Sequence, residues 1–261
     1  MPDAPTVAYA GKELFLVEGA LASLHDAPSK TQLLDKLARR MRHPPLAAGE
    51  REAAAGMHRA LTEETVMYDA GEEPTPVFIA RLGGSLVYGM FEHACELAEG
   101  DRVRAVVARS GAHLHLHSLI READQMMLLP SGAWSGARAR VRGNRREMWR
   151  LIAGMWIVFA LFMALLMYEK GGVVLAWGDV GFMLVVMALS AGLVRLGHGS
   201  PYQIMPGGDE AQAIFTVYGF PCPEYFDAAE GLTSFRGRTL GFSAPCARIA
   251  LDRHKEKFDL Y

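Results

Sequence analysis

The chain is poor in cysteine, and the three it has stand far apart. Cys95, Cys222 and Cys246 are odd in number and contain no C-x-x-C spacing. This excludes a disulfide framework and fits a reducing cytoplasmic side. Neither sign of charge dominates: 27 Lys and Arg stand against 29 Asp and Glu, so no nucleic-acid surface is expected. Internal repeats and low-complexity tracts are missing. The start, MPDAPTVAYAGKELF, lacks a basic stretch followed by an apolar core, and no cleaved signal peptide is expected.

Catalytic signatures are missing as well. Gly132-Ala133-Trp134-Ser135-Gly136 carries its serine one place late for a nucleophile elbow. Gly83-Gly84-Ser85 lacks the lysine of a phosphate loop. Glu63-Glu64 and Glu72-Glu73 fall in polar loop sequence and read as solvated. His93 lies two residues from Cys95, but in a strand–loop region that spacing is no nucleophile pair. Neither an enzyme nor a cofactor is expected.

Long apolar runs, by contrast, are present. Leu151–Tyr168 contains no charged residue, and after Glu169-Lys170-Gly171-Gly172 the run from Val173 to Val194 contains only Asp179. A membrane-crossing helix needs about 20 apolar residues, and the pair predicts a transmembrane hairpin. Arg138, Arg140, Arg142, Arg145, Arg146 and Arg150 precede it, and Arg195 follows. By the positive-inside rule both termini are expected to be cytoplasmic in a bacterial inner membrane, with the hairpin as targeting signal. Trp149, Tyr168 and Trp177 are expected at headgroup level beside Arg145, Arg146, Arg150 and Arg195. Asp179 reads as a headgroup-level acid near the turn, with an ion or proton role as the sharper reading. Ala160/Ala164 and Ala188/Gly192 put small residues four apart, so close helix packing and self-association are further expectations.

Before the hairpin the period changes. Leu14–Leu24 reads as a strand with a bend at Gly19, and Thr31–Arg42 as a helix with Ser29 as cap. Glu50–Leu61 reads as a second short helix. From Pro76, PVFIARL and SLVYGMF flank Gly83-Gly84 as a β-hairpin. Arg102–Ala108 and His113–Leu119 follow as strands, giving a small SH3-like or OB-like sheet or barrel. After the hairpin, Asp209–Tyr218 reads as a helix stopped by Gly219, and Thr233–Ala250 as a strand pair. His113, His115 and His117 would share one strand face. They are weak metal candidates, since same-face neighbours stand about 7 Å apart, and otherwise form the solvated face opposite Leu114 and Leu116.

The expected fold class is therefore an α+β membrane protein: a small β-rich cytoplasmic domain with short helices plus a two-helix transmembrane hairpin. The expected parts are residues 1–137 (the β-rich domain), 138–150 (an Arg-rich juxtamembrane linker), 151–195 (the hairpin) and 196–261 (a small cytoplasmic segment).

Several short motifs bear a resemblance. They are Gly100-Asp101-Arg102-Val103, Arg121-Glu122-Ala123-Asp124 followed by Leu129-Pro130, the Arg-bearing lead into Trp149, and Phe215-Thr216-Val217-Tyr218-Gly219-Phe220-Pro221-Cys222-Pro223. Together the chain resembles a family of bacterial inner-membrane proteins designated type VI secretion system effectors. That resemblance implies a β-rich domain, a hydrophobic hairpin and a short C-terminal segment; it supplies no catalytic residues. The family's Tyr-Pro-His-Cys type segment is here Leu129-Pro130-Ser131-Gly132. The expected partners are the lipid bilayer and another protein, in an effector-associated, adaptor or immunity role. The alternative is a pore-forming toxin whose hairpins oligomerise.

Overall fold

The structure is a computed structural model that describes residues 6–42, 76–110, 113–169, 207–237 and 241–260, with 55, 56, 58, 59, 62, 185, 188, 189 and 192. Strand β1 (Val7–Tyr9) turns through Ala10 and Gly11, both at positive φ, into the sixteen-residue β2 (Lys12–Ala27). β2 serves two walls. Leu14–Ala20 pair with β5 (Arg102–Ser110) and Leu21–Ala27 with β3 (Val77–Leu82), the change being eased by a bulge at Ser23, where φ is 52°. β3 and β4 (Ser85–Met90) form the expected hairpin, with Gly83 and Gly84 supplying the positive φ of a tight turn. β4 then pairs in parallel with β6 (His113–Arg121), and β6 antiparallel with β5.

The strand order β2-β3-β4-β6-β5, closed by β2 against β5, makes a five-stranded barrel with OB-type connectivity. Its interior is filled by Leu21, Phe78, Leu82, Val87, Phe91, Val107, Leu116 and Leu119. β7 (Met127–Leu128) extends β6 at the edge.

Two helices cover the outside of this barrel. α1 (Lys30–Arg42) lays Leu33 and Leu37 on Val77, Ile79 and Tyr88. Its start is capped by Ser29, whose Oγ accepts from the Gln32 amide. A longer helix, α2 (Ala137–Glu169), belongs to a second compact unit, Arg138–Pro206; the first unit combines Met1–Ala137 with Gly207–Tyr261. α3 (Gly208–Val217) packs Ile214, Phe215 and Val217 with Leu14, Val106, Ala108 and Ile120 of the barrel wall. β8 (Leu232–Arg236) and β9 (Gly241–Pro245) form a separate hairpin, followed by α4 (Ala247–Phe258).

The transmembrane expectation is overturned. Among the described residues no helix is long and apolar enough to cross a membrane. α2 is 33 residues long, but its first half carries the arginines, and they belong to the same helix as the apolar run. The uncharged stretch Leu151–Tyr168 spans about 27 Å at 1.5 Å per residue, short of a hydrocarbon core of ~30 Å. Trp177, Asp179 and Arg195 of the expected second helix lie outside the described residues, and of that helix and of Glu50–Leu61 only scattered positions are described. The fold class is corrected to an α+β fold with a five-stranded barrel and, among the described elements, four α-helices. The multi-pass inner-membrane localisation loses its basis with the hairpin.

Candidate functional site

The three histidines sit where β4 and β6 run parallel, in register with Tyr88 opposite His115. Leu114 and Leu116 point into the barrel as expected. The histidines point outward, yet they do not form a solvated face. His113 and His115 are half-buried, and His117 is buried at 7% exposure.

A bulge explains the burial of His117. Val106 pairs with Ser118 and Val107 with Leu116, so His117 is the extra residue on β6. Bulges bend the strand and re-aim a side chain. The imidazole is turned towards α3, where its Nδ1 donates to Glu210 Oε1 at 2.7 Å, and Glu210 is itself only 5% exposed. One position further, the Ser118 hydroxyl lies 3.1 Å from Tyr218 Oη, which donates to the Arg104 carbonyl at 3.2 Å. Burial pushes the Tyr218 phenol above its ordinary pKa. With this network Glu210 of α3 and Tyr218, the residue that follows the helix, find partners on the barrel.

The rings form a continuous seam. His113 meets Tyr88 edge-on at 5.3 Å, Tyr88 stacks on His115 at 4.9 Å, His115 lies 4.7 Å from His117, and Tyr9 of β1 meets His117 edge-on at 6.2 Å. Burial, followed by the nearby His117, Lys12 and His113, pushes His115 down to about 3. His117 Nε2 is buried and has no hydrogen-bond partner among the described residues. A histidine whose Nδ1 proton goes to a carboxylate presents its Nε2 lone pair, as metal ligands and general bases do. Yet among the described residues no group of three or more His, Cys, Asp or Glu is arranged to hold a metal ion. His113 and His115 instead pack against Tyr88.

The other candidates resolve locally. His93 Nε2 reaches the Ser243 carbonyl at 3.2 Å, with its ring against Phe242. Ser135 donates to Asp227 at 2.8 Å, tying Trp134–Gly136 to Phe226–Ala228. A depression lined by Phe91, His93, Leu129 and Trp134 encloses about 10 Å³, room for roughly one water. Arg145, Arg146, Trp149 and Arg150 are exposed on α2, and Tyr168 lies in its last turns.

Two of the short motifs, Gly100–Val103 and Arg121–Asp124, meet through one side chain. Arg121 grips Asp124 with two bonds, Nη2–Oδ2 2.7 Å and Nε–Oδ1 3.0 Å, donates to the Glu96 carbonyl at 2.8 Å, and reaches Asp101 at 3.5 Å. This clasp raises Arg121 further and holds Asp124 below the usual carboxylate range, against the opposing cost of burial. Phe215, Phe220 and Phe226 stack into one aromatic cluster beyond α3.

The class these observations define is an α+β barrel protein with a buried polar seam. No protein family, curated protein or solved structure is found to match this chain.

Proposed function

We propose that the chain works by binding another protein and catalyses no reaction, with α2 as the element that engages the partner. The observation that carries this reading is the exposure of apolar side chains on α2: Leu151 57%, Ile157 62%, Val158 68% and Leu161 65%. Met155, Trp156, Ile157 and Val158 are exposed in succession, and four residues complete more than one turn. A helix apolar on every side is normally a covered helix, and exposed apolar surface of this extent marks an interaction site.

Magnitudes decide how much of the helix takes part. Burying one such side chain contributes ~1.5–3 kcal/mol, whereas association costs on the order of 4–15 kcal/mol in lost freedom. One or two side chains cannot hold a partner; the whole stretch has to engage. Arg145, Arg146 and Arg150 beside it favour a partner with an acidic rim. The family resemblance adds a setting, in which the partner is an effector, immunity or secretion component.

The test is purification of the full chain beside the variant Ile157→Gln, Val158→Gln, Leu161→Gln. The wild type is expected to carry a protein partner in fixed proportion, and the variant to come alone with the same melting temperature. A wild-type chain that purifies alone from cells holding its native partners contradicts the proposal.

A further inference from the structure

The exposed side of α2 carries a pattern that binding in general does not explain. Ile152 is buried and Met148 and Phe159 are half-buried, so one side of the helix is already covered. At about 100° per residue the opposite side carries Arg150, Gly154, Ile157, Leu161, Ala164 and Tyr168. The first five of these are exposed, Ile157 and Leu161 at 62% and 65%. Their alternating spacing of four and three residues is that of the seam between paired helices.

The seam is symmetric about its middle. Turned end for end against itself, it sets Arg150 level with Tyr168, Gly154 with Ala164, and Ile157 with Leu161. Small residues then meet where the backbones approach, and large apolar ones meet between them. Gly154 points the same way. A glycine inside a helix costs stability relative to alanine, yet a Cβ here would meet nothing within 4 Å among the described residues. Packing among those residues gives no reason for the missing side chain; close approach of a second helix does.

Charge selects the direction. The six arginines of α2 lie in its first half, and its last turn has no cation of its own. Parallel copies would set arginine level with arginine. End for end, Arg150 of one copy lies about 27 Å along the axis from Arg150 of the other at 1.5 Å per residue, well beyond a screening length of ~8 Å. Each Arg150 instead stands level with the last turn of the other helix, the negative end of its dipole, which closes on Glu169.

We infer that this side of α2 takes a second copy of the chain, the two helices pairing antiparallel about a two-fold axis level with Phe159. The inference rests on α2 being the binding element. Two-fold pairing is self-complementary, so each contact is made twice. It uses one side of α2 and leaves Leu151, Met155 and Val158 on the flank for a different protein.

The experiment is sedimentation equilibrium of the full chain in detergent-free buffer, in a concentration series reaching the micromolar range. Twice the monomer mass is expected. Gly154→Leu displaces nothing among the described residues, so its circular dichroism should be unchanged, while its dissociation constant should rise about tenfold or more because leucine holds the two backbones apart. With the exposed Cys95 and Cys222 changed to serine, Gly154→Cys should form a disulfide with Ala164→Cys when the two variants are mixed, and not with itself. A monomer throughout the series overturns the pairing; if that monomer still carries a different protein from cells, the binding role of α2 stands without it. Association unaffected by Gly154→Leu, a disulfide of Gly154→Cys with itself, or association only with lipid or detergent would each overturn it as well.

Discussion

Tyr218 illustrates how much one side chain can bind together. Its hydroxyl lies between Ser118 on β6 and the Arg104 carbonyl on β5, so one oxygen joins α3 to two strands. Tyr218→Phe leaves the Ser118 hydroxyl and that carbonyl short of a partner, and should cost about 1–3 kcal/mol in a urea titration. Gly89 is a second such position, for a steric reason. A Cβ there would meet Phe91 Cε2 at 2.8 Å, Leu116 Cβ at 3.1 Å and Phe78 Cε1 at 3.3 Å, inside the filled barrel. Gly89→Ala should therefore destabilise by about 1–3 kcal/mol, through overpacking.

His115 ties residue chemistry to pH. Its folded value is about 3 against an ordinary 6.5, so the unfolded chain binds more protons between those limits. Stability is then fully present above pH 6.5 and falls as pH drops towards 3, by at most about 1.4 kcal/mol per pH unit. His254, lowered chiefly by burial, adds a contribution of the same sign. Thermal melts from pH 7 to 4 should show the decline, reduced in His115→Phe. A melting temperature flat across that range would contradict it.

At the scale of elements, the clasp at the end of β6 is the point of greatest leverage. Arg121 joins the β6–β7 turn to the 3-10 turn Ala94–Glu96 and to Asp101 before β5. Arg121→Met leaves Asp124 and Asp101 without their cation and should cost about 2 kcal/mol, from the strength of bonds to charged groups. Lys in its place should recover only part of this, because an ammonium cannot grip Asp124 through two nitrogens.

The same elements show what could be read from sequence. The β3–β4 hairpin was legible because Gly83-Gly84 breaks two apolar runs, and α3 because acids open it and Gly219 closes it. The bulge at His117 was not. Strict alternation in HLHLHSL implies an even strand, and only the pairing with β5 reveals the extra residue. Glu210 lies 93 residues from His117 and carries no local sign of the contact. α4 was missed because its buried face is small, with Ala247, Ala250 and His254, while its charges face outward. The apolar run after Trp149 misled most. An uncharged window reports composition, and says nothing of the arginine-rich helix with which it is continuous.

At the scale of the molecule, the chain forms two compact units. In the first, the barrel interior and the layers under α1 and α3 bury their apolar side chains. In the second, Leu151, Met155, Trp156, Ile157, Val158, Leu161 and Leu165 of α2 are exposed, while Ile152 is buried. That contrast is the basis for assigning binding to α2 and stability to the barrel. It also predicts that single substitutions at Ile157, Val158 or Leu161 leave the melting temperature within about 2 °C, since exposed positions rarely move stability by more than ~0.5 kcal/mol.

The most direct measurement places a photo-crosslinking amino acid at Trp156 in the full chain, with Asp252 on α4 as the control position, in cells holding the native partners. Binding through α2 predicts a discrete protein adduct from Trp156 that is missing from Asp252. Adducts to lipid alone, or the same faint background from both positions, would contradict it.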